Sequence, residues 1–124
     1  KKRGGAVLVT DAMPSVGSNC KTFSLHDEEI EVIDDRCITT NGVLAGSNLN
    51  MAIAVRNAAR FSPIGWQEAV RMASRYPAKA VGLSASLGDL SPGKQASFAV
   101  LDAGFAVIQT WIAGQCVYDS QSGE

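Results

Sequence analysis

Asp11 is the carboxylate whose place in the sequence most favours chemistry, because it comes directly after the apolar run Ala6–Val9 and Thr10. A short continuous apolar run predicts a strand buried on both faces, as in a parallel sheet. In parallel α/β proteins, catalytic groups lie just beyond the carboxyl ends of the strands. Asp11 is therefore a candidate catalytic residue. On the strand alone a turn-forming role is favoured, since Asp readily bonds the backbone that follows it.

Three other segments carry chemistry-bearing residues with weaker patterns. The acidic run from Asp27 to Asp35 lacks the spacing of a calcium loop, so it predicts a solvated face. Gly88–Lys94 approaches a phosphate-loop pattern, but Gln95 stands where Ser or Thr must bind magnesium, and a strand is predicted where a helix should begin. His26, the single histidine, is predicted to be a polar residue at a hairpin tip.

The composition predicts an ordinary globular protein. The 124 residues are 46% hydrophobic with a net charge of −1, and positive charge clusters only at Lys1–Arg3, which disfavours a nucleic-acid partner. No apolar stretch approaches the roughly 20 residues of a membrane span. The odd number and wide spacing of Cys20, Cys37 and Cys116 favour reduced thiols and a cytoplasmic location. The abrupt start before an apolar strand suggests a chain cut from a larger protein.

The elements that must position these residues follow in order. Alternation over Cys20–Leu25 and Glu29–Ile33, followed by Arg36–Thr39, predicts an antiparallel meander of two or three strands. After the Asn41-Gly42 turn, Ser47 or Asn48 is predicted to cap a helix over 49–61.

The second half of the chain is predicted to be helical and then extended. A helix over 67–76 should end at Tyr76-Pro77, and Pro77 should open a short third helix to Val81. Strands are predicted over 97–101, 107–113 and 116–118, with a tight turn at Gly114-Gln115.

The sequence resembles the C-terminal third of the N-acetylglucosamine-6-phosphate deacetylase family. Six stretches carry the resemblance: Leu8–Pro14, Gly42–Ser47, Ala54–Asn57, Met72–Ala78, Leu87–Asp102 and Val107–Tyr118. The last two are shared by many amidohydrolases. The family fold is a metal-dependent (β/α)₈ TIM barrel joined to a small β-sandwich. The resemblance thus implies an α/β chain in which residues 1–83, with Val7–Thr10 as barrel strand eight, end the barrel. Residues 84–124 then supply closing strands of the sandwich.

The resemblance also implies an activity and its residues. The family hydrolyses the acetamide of N-acetylglucosamine 6-phosphate to glucosamine 6-phosphate and acetate. Asp11 falls on the family's catalytic aspartate, the proton acceptor and donor, and this reverses the preference for a turn role. Leu44, Ala45 and Gly46 match the loop that contacts the bound sugar phosphate.

The rest of the family's site lies outside this sequence. The family uses a divalent metal, zinc or iron, whose ligands belong to earlier strands, so no metal ligand is assigned here and the isolated chain is expected to be inactive. The apolar strand predicts association, and a homo-oligomer is expected. Two alternatives remain: another amidohydrolase with a different amide substrate, and a stand-alone non-catalytic assembly domain.

Overall fold

The computed structural model describes residues 4–122, so the Lys1–Arg3 cluster and the last two residues of the chain lie outside the described part. The chain divides into two compact units. The smaller unit is Val9–Ala54, and the larger comprises Val55 onward together with the residues up to Leu8. The sequence-based boundary at residues 83 and 84 stays a prediction.

A four-stranded antiparallel sheet forms most of the smaller unit. Its order is β1 (Thr22–Leu25), β2 (Glu28–Ile33), β3 (Arg36–Thr39) and β4 (Leu44–Ser47). The β1–β2 and β2–β3 connections are two-residue turns, His26-Asp27 and Asp34-Asp35, with positive φ at all four residues. Positive φ at both central residues marks the turn that suits the twist of a hairpin. The meander and the hairpin-tip position of His26 are confirmed, with one more strand than expected.

The core of this unit is small and centred on the middle strands. Ile30 of β2 and Cys37 of β3 are almost completely buried. Ser15, also buried, places its hydroxyl 3.5 Å from the Cys37 sulfur. All three cysteines are free thiols, as predicted.

The predicted helix cap is wrong by two or three residues. Helix α1 spans Met51–Phe61, and the Asn50 side-chain oxygen accepts the Ile53 N–H at 2.9 Å. Asn50 is thus the capping residue, because its carboxamide bonds a donor of the first turn. Ser47 instead ends β4, so Leu44–Gly46 belongs to a strand and not to a loop.

Two short helices follow in the larger unit: α2 over Trp66–Ala73 and α3 over Arg75–Ala80. The prediction that helix two ends at Tyr76-Pro77 is wrong, since the break lies at Ser74 and both residues are helical. Proline is tolerated there because the first-turn N–H groups of a helix have no intrahelical acceptor, so its missing N–H costs nothing.

A three-stranded antiparallel sheet completes the larger unit, in the order β5 (Phe98–Leu101), β6 (Val107–Ile112) and β7 (Gln115–Asp119). The three predicted strands are confirmed within two residues. The turn between β6 and β7 is Ala113-Gly114, both at positive φ, one residue earlier than expected. Phe98 stacks on Trp111 across the first pair, with ring centroids 5.7 Å apart.

The predicted buried strand over Val7–Thr10 is not present. These residues form no strand, and Val7 and Val9 are 46% and 76% exposed. A strand buried on both faces needs hydrogen-bonded neighbours, and the strands within residues 4–122 pair in the two antiparallel sheets instead. The described residues accordingly form no barrel. None of their helices combines the length and apolarity needed to cross a bilayer.

Candidate functional site

Asp11 sits in a left-handed backbone conformation, with φ 53° and an exposed side chain. Asp is one of the few side chains enriched in this region of conformational space. Its backbone carbonyl accepts the Ser47 N–H at 2.9 Å. The carboxylate is therefore presented to solvent from a backbone that is tied to the end of β4.

Ser47 holds the residues on both sides of Asp11. Its carbonyl accepts the Met13 N–H at 2.9 Å, and Ala12 forms a parallel bridge with it. Its hydroxyl donates to the Thr10 carbonyl at 2.6 Å and accepts the Leu49 N–H at 3.1 Å. Residues 10–13 are thus fixed along β4 by main-chain bonds and one hydroxyl.

Gly46 is the position where the two segments approach most closely. A Cβ at Gly46 would lie 2.7 Å from Met13 Cε and 2.9 Å from the Asp11 carbonyl oxygen. The φ of Gly46 is not positive, so the backbone conformation does not require a glycine at this position. Glycine is required because only hydrogen leaves room for the Asp11 backbone.

The remaining predicted site residues precede Gly46 in the same strand. Leu44 is 64% exposed and Ala45 is half-buried. Leu44 pairs with Ile38 of β3, and no hydrogen bond among residues 4–122 joins it or Ala45 to Asp11. The structure therefore brings the Asp11 backbone against Gly46 and Ser47 at the end of β4. Leu44 and Ala45 are the first two residues of the same strand.

A metal centre does not fit the described part of the chain. Residues 4–122 contain no group of three or more His, Cys, Asp or Glu placed to hold a metal ion. Asp11 belongs to no such group, and His26 lies at the β1–β2 turn. We assign no metal ligand to these residues.

Sequence reasoning missed a polar cluster on α2 and α3. The buried Glu68 carboxylate accepts the Tyr76 hydroxyl at 2.9 Å and the Arg71 guanidinium at 3.2 Å. The Tyr76 hydroxyl, Arg71 and the Gly4 backbone N–H lower the pKa of Glu68, against an opposing effect of burial. The available signal was the four-residue spacing of Arg71, Arg75 and Lys79.

Comparison with known proteins identifies the family. The model of the amidohydrolase family matches residues 24–117, which is most of the chain. The chain belongs to the amidohydrolase family.

Named relatives of this amidohydrolase chain are sugar-phosphate deacetylases. An N-acetylgalactosamine-6-phosphate deacetylase of Escherichia coli O157:H7 is 42% identical over 88% of this chain, and the human N-acetylglucosamine-6-phosphate deacetylase is 34% identical over 95%. The crystal structure of the Pasteurella multocida N-acetylglucosamine-6-phosphate deacetylase superposes with a TM-score of 0.88 at 31% identity, covering 95% of this chain and 31% of its own. The chain spans 29% of the length of the Escherichia coli O157:H7 relative and 29% of the length of the human one. It spans 65% of the length of a putative N-acetylgalactosamine-6-phosphate deacetylase of Escherichia coli K12.

Proposed function

We propose that this chain supplies part of the active site of a deacetylase acting on an N-acetylated amino-sugar 6-phosphate. The observation that carries the proposal is the bond between the Ser47 N–H and the Asp11 carbonyl, with Gly46 packed against the same backbone. Two segments assigned separately to catalysis and to substrate contact are adjacent. The named relatives support the reaction class.

In the proposed reaction Asp11 moves a proton. Water attacks the acetamide carbonyl carbon, and the Asp11 carboxylate accepts the proton that this water loses. When the carbon–nitrogen bond breaks, the same carboxyl gives the proton to the leaving amine, so acetate and the amino-sugar phosphate are released. An exposed carboxylate on a fixed backbone suits this role.

Leu44, Ala45 and Gly46 contact the sugar in this proposal. None carries an ionisable group, so recognition depends on backbone N–H and C=O groups and on shape. Because the space at Gly46 is filled by Met13 and the Asp11 carbonyl, Ala45 is the small residue at which a ligand can approach the main chain closely.

Two hexosamines are candidate substrates. The sequence resemblance favours N-acetylglucosamine 6-phosphate. The galactosamine epimer is favoured by the higher identity to the Escherichia coli relative, 42% against 34% for the human one. Rates of acetate release from the two sugars, measured in parallel with an active enzyme that carries this chain, decide between them.

We propose that the 124-residue chain alone does not turn over either sugar, since the resemblance places the remaining site residues in other segments of longer proteins. The check is acetate release by the purified chain with zinc or iron supplied. Turnover above a metal-only blank contradicts this.

Asp11→Asn tests the catalytic assignment in an active enzyme. The host is the Escherichia coli O157:H7 relative with its matching segment replaced by this chain. We expect kcat to fall about 10²-fold or more, the usual scale for a general acid–base group. Asp27→Asn is the matched control, because Asp27 is also an exposed aspartate at positive φ, 67°. Equal kcat in the two variants would return Asp11 to a turn-forming role.

Ala45→Val tests the substrate contact in the same chimera. Valine suits a strand, so β4 and the melting temperature should be preserved while the added methyl groups crowd the ligand. We expect KM to rise with little change in stability. If the variant is less stable but binds the sugar normally, Leu44, Ala45 and Gly46 have a structural role and do not contact the substrate.

A further inference from the structure

A cleft of about 680 Å³ opens within the larger unit, beside α2 and α3. Its volume lies in the range of small-ligand sites. We call it the basic cleft, and it is lined mainly by charged and hydroxyl-bearing residues: Gly4, Glu68, Arg71, Arg75, Tyr76, Lys79, Ser84, Asp89 and Lys94.

Both carboxylates of the basic cleft are already satisfied. Glu68 accepts the Tyr76 hydroxyl and the Arg71 guanidinium. Asp89 accepts the Lys94 ammonium at 2.9 Å and the Ser91 N–H at 3.1 Å. The Lys94 ammonium and the Ser91 donors lower the pKa of Asp89 far below its usual range. Each carboxylate therefore stays ionised and neutralises one cation.

Two cations of the cleft have no carboxylate of their own. Arg75 Nε is 3.9 Å from the Asp89 oxygen that Lys94 already occupies, too far for a hydrogen bond. Lys79 is in no ion pair among the described residues. Both are exposed on α3 four positions apart, a spacing that brings side chains to the same helix face. The exposed Ser84 adds a hydroxyl to the lining.

We propose that the basic cleft binds a phosphate monoester dianion, with Arg75 and Lys79 matching its two charges. The planar guanidinium of arginine matches phosphate oxygens with two parallel N–H donors, and the lysine ammonium adds a compact charge. The chain as a whole carries a net charge of −1, whereas the lining of the cleft combines four cationic side chains with two carboxylates. This binding goes beyond the proposed deacetylation, because it requires no reaction.

The test is calorimetric titration of the 124-residue chain with glycerol phosphate at low ionic strength. We expect saturable binding that weakens at least 10-fold in Arg75→Gln/Lys79→Gln. The matched control is Arg56→Gln/Arg60→Gln, which removes two exposed cations, also four positions apart, from α1. Affinity within two-fold of the parent is expected for this control. Circular dichroism verifies that both double variants are folded.

The dependence on pH provides a second readout. The two carboxylates of the cleft keep their charge between pH 7.5 and 5.5, because the pKa values of Glu68 and Asp89 are both lowered. A phosphate monoester with a second pKa of about 6 loses most of its dianion over this interval, so affinity should fall about four-fold. Sulfate remains a dianion and should bind equally at both values. No saturable binding, equal loss in the two double variants, or the same pH profile for both ligands would overturn the proposal.

Discussion

The smaller unit positions its candidate residues with the main chain, whereas the larger unit positions its polar residues with side chains. The Asp11 carbonyl accepts the Ser47 N–H and packs against Gly46, where the absence of a side chain leaves room for it. Glu68 and Asp89 are fixed by Tyr76, Arg71 and Lys94, whose side chains hold the carboxylates.

Because of this difference, the two units should respond to different kinds of perturbation. A site built from backbone bonds depends on shape, so it should be most sensitive to an added atom. A cluster built from ionised side chains depends on protonation. Independent probes exist, since Trp66 and Trp111 both lie in the larger unit and the buried Cys37 lies in the smaller one.

The largest expected effect is that of Gly46→Ala. The new Cβ would meet the Asp11 carbonyl oxygen, which is backbone and cannot move aside as a side chain can. Overpacking of this kind costs about 1–3 kcal/mol of the free energy of unfolding. The measurement is the rate at which Cys37 reacts with a thiol reagent, which should rise as the smaller unit opens more often.

Gly104→Ala is the control for this prediction. Gly104 also lacks a positive φ, and its added Cβ would lie 3.3 Å from the Asp102 side-chain oxygen that accepts the Gly104 and Ala106 N–H groups. All of these residues belong to the larger unit, whereas Cys37 belongs to the smaller one. We expect no change in Cys37 reactivity. Faster reaction in both alanine variants would show that Gly46 has no special packing role.

Acid should lower the stability of the larger unit, by less than Gly46→Ala lowers that of the smaller unit. Lys94 lowers the pKa of Asp89, Tyr76 lowers that of Glu68, and the Gln121 N–H lowers that of Asp119. A lowered folded-state pKa gives stability that is present above the unfolded value, near 4, and lost as pH falls toward the folded value. We expect the urea midpoint from tryptophan fluorescence to fall between pH 5 and pH 3.

Glu68→Gln sharpens the acid prediction. The amide keeps the size of the side chain but cannot ionise, so the variant should be less stable at pH 7 and lose less on acidification. Cys37 protection is the ratio of its reaction rate in the urea-unfolded chain to its rate in the folded chain at the same pH, because the thiolate is the reacting species. This ratio should depend less on pH than the urea midpoint from tryptophan fluorescence. An unchanged pH slope in Glu68→Gln would contradict a stabilising role for the ionised carboxylate.

Local patterns in the sequence predicted the short-range structure well. The His26-Asp27 and Asp34-Asp35 turns and the strands near Val107 follow from alternation and turn chemistry, which are properties of adjacent residues. The strand predicted over Val7–Thr10 is absent, because a strand depends on neighbours that periodicity does not reveal. Residue types also cannot show whether a glycine serves a turn or a close approach, so the role of Gly46 appeared only when Met13 and Asp11 were located.

The smallest expected effect concerns the cap of α1. Asn50→Ala removes the oxygen that accepts the Ile53 N–H, and loss of such a cap costs about 1 kcal/mol of stability. Asn50→Asp keeps an acceptor and should retain the parent stability, since Asp caps helices as well as Asn. Thermal unfolding followed by circular dichroism measures both variants. If Ser47→Ala leaves helix content lower than Asn50→Ala does, the cap originally predicted at Ser47 is the more important one. That outcome would assign the Ser47 hydroxyl a role in α1 beyond its bond to the Thr10 carbonyl.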